Sequence, residues 1–227
     1  MSTLFSGRAV GLASITAGAL VLLNQLSQVI FVLTVSESFW DATHVYRRGL
    51  ALVAMYVLLL ALTGLYWVEA NVIGGLGLVG YLIAFLGTLL VAGDWWFETF
   101  IVPVLIDRVP EIIEEAPSGL ILVGAFVTTA AFAVGWLIFG FSSYRAGIFP
   151  RGASILMMLG GLVGAVTLID GSQIPLALAV GWIGLWLIRA RSSELQPPRS
   201  SSRHRVMRRS ILGTDTQAMR MRRPWRL

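Results

Sequence analysis

Cysteine is absent from the 227 residues, which excludes disulfides, thiol nucleophiles, thiolate zinc sites and iron–sulfur ligation. Histidine occurs only at His44 and His204, both in polar segments, so a haem held between two intramembrane imidazoles is excluded too. Charge is scarce: 13% of the residues are charged, against about 25% in an average soluble domain. That deficit leaves too little polar surface to cover a water-exposed globule and argues against a soluble enzyme. There is no H-E-x-x-H, no G-x-S-x-G and no phosphate-binding loop, and hence no recognisable catalytic set. The alternating apolar and polar segments of a membrane β-barrel are missing as well, since 51–62 is apolar throughout.

What is present is apolar: 56% of the residues are hydrophobic and the mean hydropathy is +0.79. Crossing about 30 Å of hydrocarbon takes about 20 apolar residues at 1.5 Å each. Six segments meet or approach that length, at about 9–33, 49–68, 72–93, 119–141, 153–169 and 174–188. The last two are shorter and joined by Asp170-Gly171-Ser172-Gln173, as in an antiparallel helical hairpin. The expected fold is all-α: a polytopic transmembrane bundle over 1–190, followed by a disordered, Arg-rich cytoplasmic tail over 191–227. A cleaved signal peptide at 9–23 is disfavoured, because the apolar stretch resumes through 29–33 without a small-residue cleavage site.

Charge is unevenly divided. Residues 1–188 carry a net −4 and residues 189–227 a net +9, and every basic residue is Arg. Cytoplasmic flanks of membrane helices keep an excess of basic residues. With both termini inside, the inner side holds Arg8, Arg145, Arg151 and the tail arginines, starting with Arg189 and Arg191. The outer side holds Arg47, Arg48 and Arg108 together with most acids. The expected location is therefore a bacterial plasma membrane, multi-pass, with both ends cytoplasmic. Arg145, Arg151, Arg189 and Arg191 are inner lipid-facing candidates, and the tail suits anionic lipid headgroups. Orientation already explains the tail charge, so nucleic-acid binding is not favoured.

Small residues mark contact seams, because close backbone approach drives helix association in lipid. Gly80, Ala84, Thr88 and Ala92 lie four apart, and Gly160-x-x-x-Gly164 and Ala177-x-x-x-Gly181 repeat that spacing. Internal bundle packing accounts for these better than a dedicated dimer interface, although homo- or hetero-oligomers remain open. Gly75-x-Gly77-x-x-Gly80 matches a dinucleotide fingerprint literally, but it opens a lipid-length apolar run where the fingerprint needs a strand before it. It is rejected.

Polar groups inside apolar runs need a reason. Asn24 and Gln28 share one face of the first span, with Gln25 beside Gln28. A hydrogen-bonded clamp between helices is preferred to the wall of a polar cavity. Asp94 and Glu98 sit one helical turn apart among Trp95, Trp96, Phe97 and Phe100, with Pro103 beyond. An aromatic belt with boundary carboxylates is the plainer reading, and a proton or cation site the sharper one. Asp41, His44, Arg47 and Arg48 form an outer charged cluster. Asp41-x-x-His44 is weak as a metal motif, and pairing of the arginines with acids of the third connection is preferred. No metal or other cofactor is expected.

The stretch Trp95-Trp96-Phe97-Glu98-Thr99-Phe100-Ile101-Val102-Pro103 resembles the aromatic, acidic, Pro-terminated segment of many uncharacterised bacterial multi-pass membrane proteins. Gly135 to Gly140 and Tyr144 to Arg151 resemble their fourth-to-fifth span connection. The likeness covers most of 8–190 and implies a six-span architecture, but no activity. Function is accordingly expected to be non-enzymatic: a membrane subunit, assembly factor or sensor. The alternatives are a small-molecule or ion-coupled transporter using the outer carboxylates and, less favoured, a membrane-embedded enzyme built on Asp41 and His44.

Overall fold

A computed structural model describes residues 7–34, 44–109, 119–164 and 171–194 (side chains at 32, 34, 44 and 191–194 excepted). The chain divides into two units, 1–192 and 193–227, and the second lies almost wholly outside the described residues. The expected tail falls there, Arg191 keeping only its place on a helix.

The described residues form helices and turns, with no strand among them. The helices are α1 (Gly7–Thr34), α2 (His44–Glu69), α3 (Gly74–Phe100), α4 (Val102–Arg108), α5 (Gly119–Ala146), α6 (Arg151–Gly164) and α7 (Ile174–Glu194). Four apolar stretches are long enough to cross a membrane: Gly7–Phe31, Val45–Glu69, Gly74–Arg108 and Gly119–Ala146. The fifth and sixth expected spans correspond to shorter helices. The 14 residues of α6 rise only about 21 Å, less than the hydrocarbon thickness.

The breaks have local causes. Between α2 and α3, the amides of Val72 and Ile73 both donate to the Glu69 carbonyl (2.9 Å each), ending α2 in a tight turn. Pro103 has no N–H to give to the preceding turn, so the chain breaks at Ile101 before resuming as α4. α3 runs past the expected span end at Gly93 as far as Phe100, so Asp94 and Glu98 lie one turn apart on it, as expected. After α5, Gly147 takes φ +69° and its N–H donates to Ser143 O (3.1 Å), a left-handed stop that turns the chain toward Arg151.

Packing closes the bundle into a circuit: α1 on α2, α2 on α3, α3 on α5 and α5 on α6. From α6 the circuit passes to α7, where Gly160 lies against Leu176. It returns to α1, where Gly18 and Gly11 face Gly181 and Gly184. The close approaches depend on glycine. A Cβ at Gly80 would stand 2.6 Å from Phe139 N, and one at Gly18 would stand 2.6 Å from Ala177 O; one at Gly135 would collide with the Ala84 backbone. The interior is filled, with Met55, Leu58, Leu62, Phe132, Trp136 and Ile183 fully buried. Trp136 satisfies its indole by donating to Thr88 Oγ1 (3.1 Å), and that hydroxyl donates in turn to Ala84 O (2.7 Å).

Candidate functional site

The long helices alternate in direction, α4 continuing α3, so the end of α1, the start of α2, the end of α3 and the α6–α7 connection meet at one end of the bundle. Its polar residues turn inward. Asn24, Gln25 and Gln28 are buried, whereas Leu23, Leu26 and Ile30 of the same helix stay exposed. Gln25 Oε1 accepts the backbone N–H of Gly171 (2.8 Å) and its Nε2 donates to Gln173 Oε1 (3.5 Å), tying α1 to the connection before α7. Gly171 has φ +87°, a geometry that brings its amide to Gln25 with little strain because there is no Cβ.

The two arginines at the start of α2 act in opposite directions. Arg47 donates to Gln28 Oε1 (3.3 Å) and its guanidinium stacks 3.3 Å from the centre of the Phe31 ring, binding α2 to α1. Arg48 lies 2.7 Å from Glu98 Oε2 and 4.5 Å from the centre of the Trp95 ring, binding α2 to α3. A charge pair with little water around it loses hydration but gains attraction in the same low dielectric, so each partner makes the other tolerable. The aromatic run divides accordingly. Trp95 is buried beneath Arg48, while Trp96, Phe97 and Phe100 face outward, the arrangement of an interfacial belt.

Asp94 lines a crevice of about 300 Å³ between α3 and α5, with Leu90, Ile121, Gly124, Thr128 and Thr129 among its walls. Asn24 is fully buried, and neither atom of its amide has a hydrogen-bond partner. Gln28 Nε2 is likewise unpartnered. Of the four expected polar-site residues, Asp94 lines this crevice, while Gln28 and Glu98 bond to the adjacent Arg47 and Arg48. Asp94, one turn before Glu98 on the same side of α3, lies within electrostatic reach of Arg48 as well.

Asp41 and the acids of the third connection at 111–115 lie outside the described residues, as does the His44 side chain. No group of three or more potential metal ligands occurs among the described residues. At the opposite end, Arg145, Arg151 and Arg189 are all exposed.

That end also holds a contact that sequence reasoning missed. Glu69 is fully buried, and its Oε2 accepts a hydrogen bond from the Ser143 hydroxyl (2.5 Å), joining the last turn of α2 to that of α5. The available signal was an acid closing one apolar run and a serine pair closing another on the same side. These features define a helical bundle with four apolar stretches of membrane-crossing length and polar fasteners at both ends. No protein-family model, curated protein or solved structure matches the chain.

Proposed function

We propose that the chain is a non-enzymatic integral membrane protein, acting as a subunit, assembly factor or sensor in a bacterial plasma membrane. In this reading it crosses the bilayer six times, α6 and α7 forming a short hairpin, with both termini cytoplasmic. The observation that carries it is the use of the intramembrane polar groups as fasteners between helices. Arg48 is held by Glu98, Arg47 by Gln28, and the Gly171 amide by Gln25. A carboxylate paired in this way neutralises its own arginine instead of waiting for a transported ion. The same pairing makes two arginines acceptable at the outer boundary, where the basic-inside rule alone would not put them. Extraction of the full chain from native membranes in mild detergent tests the reading. A stoichiometric partner or a defined oligomer is expected, and a solitary monomer overturns it.

A second reading, an ion-coupled or small-molecule transporter, draws on Asp94 at its crevice and on the unpartnered amide of Asn24. In reconstituted liposomes the Asp94→Asn, Glu98→Gln double variant would then lose pH-dependent uptake. Equal flux in variant and parent would end this alternative.

A further inference from the structure

The end of the bundle where α3 begins carries a crevice of about 350 Å³, whose walls include Ile73, Gly74, Gly75, Leu76, Ser142 and Arg145. We propose that this crevice binds a phosphate-class anion, presented by a lipid headgroup or by free phosphate. The assignment is independent of the reading above.

Four features converge on it. α3 is 27 residues long, and no side chain caps its start, Ile73 offering none. The first amides of a helix have no acceptor within it, and their aligned dipoles concentrate positive potential there. Gly74 and Gly75 leave that backbone bare, with nothing within 4 Å of where a Cβ would stand. A ligand oxygen can therefore reach the N–H groups directly, as at phosphate sites built on helix N-termini.

The second feature is Ser142. It is buried, with 3% of its surface exposed, it lines the crevice, and its hydroxyl has no hydrogen-bond partner. A buried hydroxyl left unpaired is costly, and an anion oxygen in the crevice would satisfy it.

The third is Arg145, exposed on the crevice wall. Its guanidinium lies 6.0 Å from the centre of the Phe141 ring, and it makes no ion pair among the described residues. A planar guanidinium free to offer two parallel N–H groups suits a phosphate oxygen pair.

The fourth is the weakness of the local opposition. Glu69 is the nearby acid; it is not a wall of the crevice, and its Oε2 is engaged by Ser143, while its buried Oε1 has no partner and is the main group opposing an anion. The negative end of α5 is partly silenced, since Gly147 N–H takes up the Ser143 carbonyl. Arg8, Arg151 and Arg189 stand exposed at the same end, so the surrounding potential favours an anion over a cation.

The glycine run that fails as a dinucleotide fingerprint thereby keeps one element of that motif's physics: a bare helix start that accepts negative charge. It does so without the strand and crossover that the fingerprint requires.

The test uses the full chain and two probes. Calorimetric titration in an uncharged detergent reads inorganic phosphate. Native mass spectrometry of protein released from nanodiscs of phosphatidylglycerol and phosphatidylcholine reads retained anionic lipid. Saturable binding in the first arm identifies a free-anion site, and one retained phosphatidylglycerol in the second a headgroup site. In whichever arm binds, Arg145→Gln should weaken binding at least tenfold. Gly75→Leu should do the same by filling the crevice without changing charge, and Ser142→Ala should cost a few-fold. Arg151→Gln, outside the crevice, should leave binding unchanged, and circular dichroism with gel filtration verifies that each variant is folded. Equal binding by the parent, Arg145→Gln and Gly75→Leu chains overturns the proposal. So does the absence of binding in both arms, or an equal loss in Arg151→Gln.

Discussion

The two halves of α5 are similarly apolar and lie in opposite environments. Every residue from 119 to 127 is exposed, with Leu120 at 88% and Phe126 at 72%, whereas Trp136 and Phe139 in the other half are fully buried. The difference is backbone proximity. Gly135 and Gly140 let α5 touch α3 and α6, while nothing lies within 4 Å of Gly124. In lipid, an exposed leucine costs nothing relative to a buried one, so hydrophobicity does not decide which half packs. Close contact does, through dispersion forces that fade within an ångström of separation.

The largest test of that contrast replaces a glycine in each half. Gly135→Leu forces α5 away from the Ala84 backbone and should cost more than about 3 kcal/mol, beyond ordinary overpacking, with loss of a monodisperse species in gel filtration. Gly124→Leu should leave the elution profile unchanged, and a comparable loss there would erase the distinction.

A smaller effect comes from truncating one aromatic in each half. Trp136→Ala opens a cavity and strands the Thr88 hydroxyl's incoming bond, and should cost about 3–5 kcal/mol in reversible unfolding by denaturing detergent. Phe126→Ala, projecting from the bundle, should stay within about 0.5 kcal/mol.

A similar contrast runs along α3, where Glu98 is closed by its ion pair with Arg48 and Asp94, one turn earlier, lines an open crevice. Glu98→Gln removes the carboxylate 2.7 Å from Arg48 and should destabilise by about 1–2 kcal/mol, discounted from a fully buried pair because both side chains retain some exposure. Asp94→Asn, on the crevice, should change stability by less than about 0.5 kcal/mol. A double-variant cycle of Arg48→Gln with Glu98→Gln measures the coupling directly.

Much of this architecture was legible in the residues. Long apolar runs announced α1, α2, α3 and α5, and the four-residue spacing of Gly80, Ala84 and Thr88 marked the face of α3 that meets α5. The amide face of α1 was visible too, because Asn24, Gln25 and Gln28 recur at helical spacing. Partners were less legible. Glu98 and Gln28, which hold Arg48 and Arg47 and come from two other helices, were not named as their partners, and the expected partners at 111–115 lie outside the described residues. Gly87 and Gly135 carried no spacing signal that pairs one with the other's helix. The uncapped start of α3 gained meaning only once Ser142 and Arg145 of α5 stood beside it.

The chain alone thus determined its helices and their approximate ends. Those follow from local rules: the length of an apolar run, the missing amide of Pro103, and the positive φ that Gly147 can adopt. Tertiary structure decided which apolar faces touch, which polar groups are paired, and which, like Asn24 and Ser142, are left without a partner. The reason is physical: lipid imposes little preference among apolar surfaces, so partner choice rests on short-range fit between residues far apart in the chain.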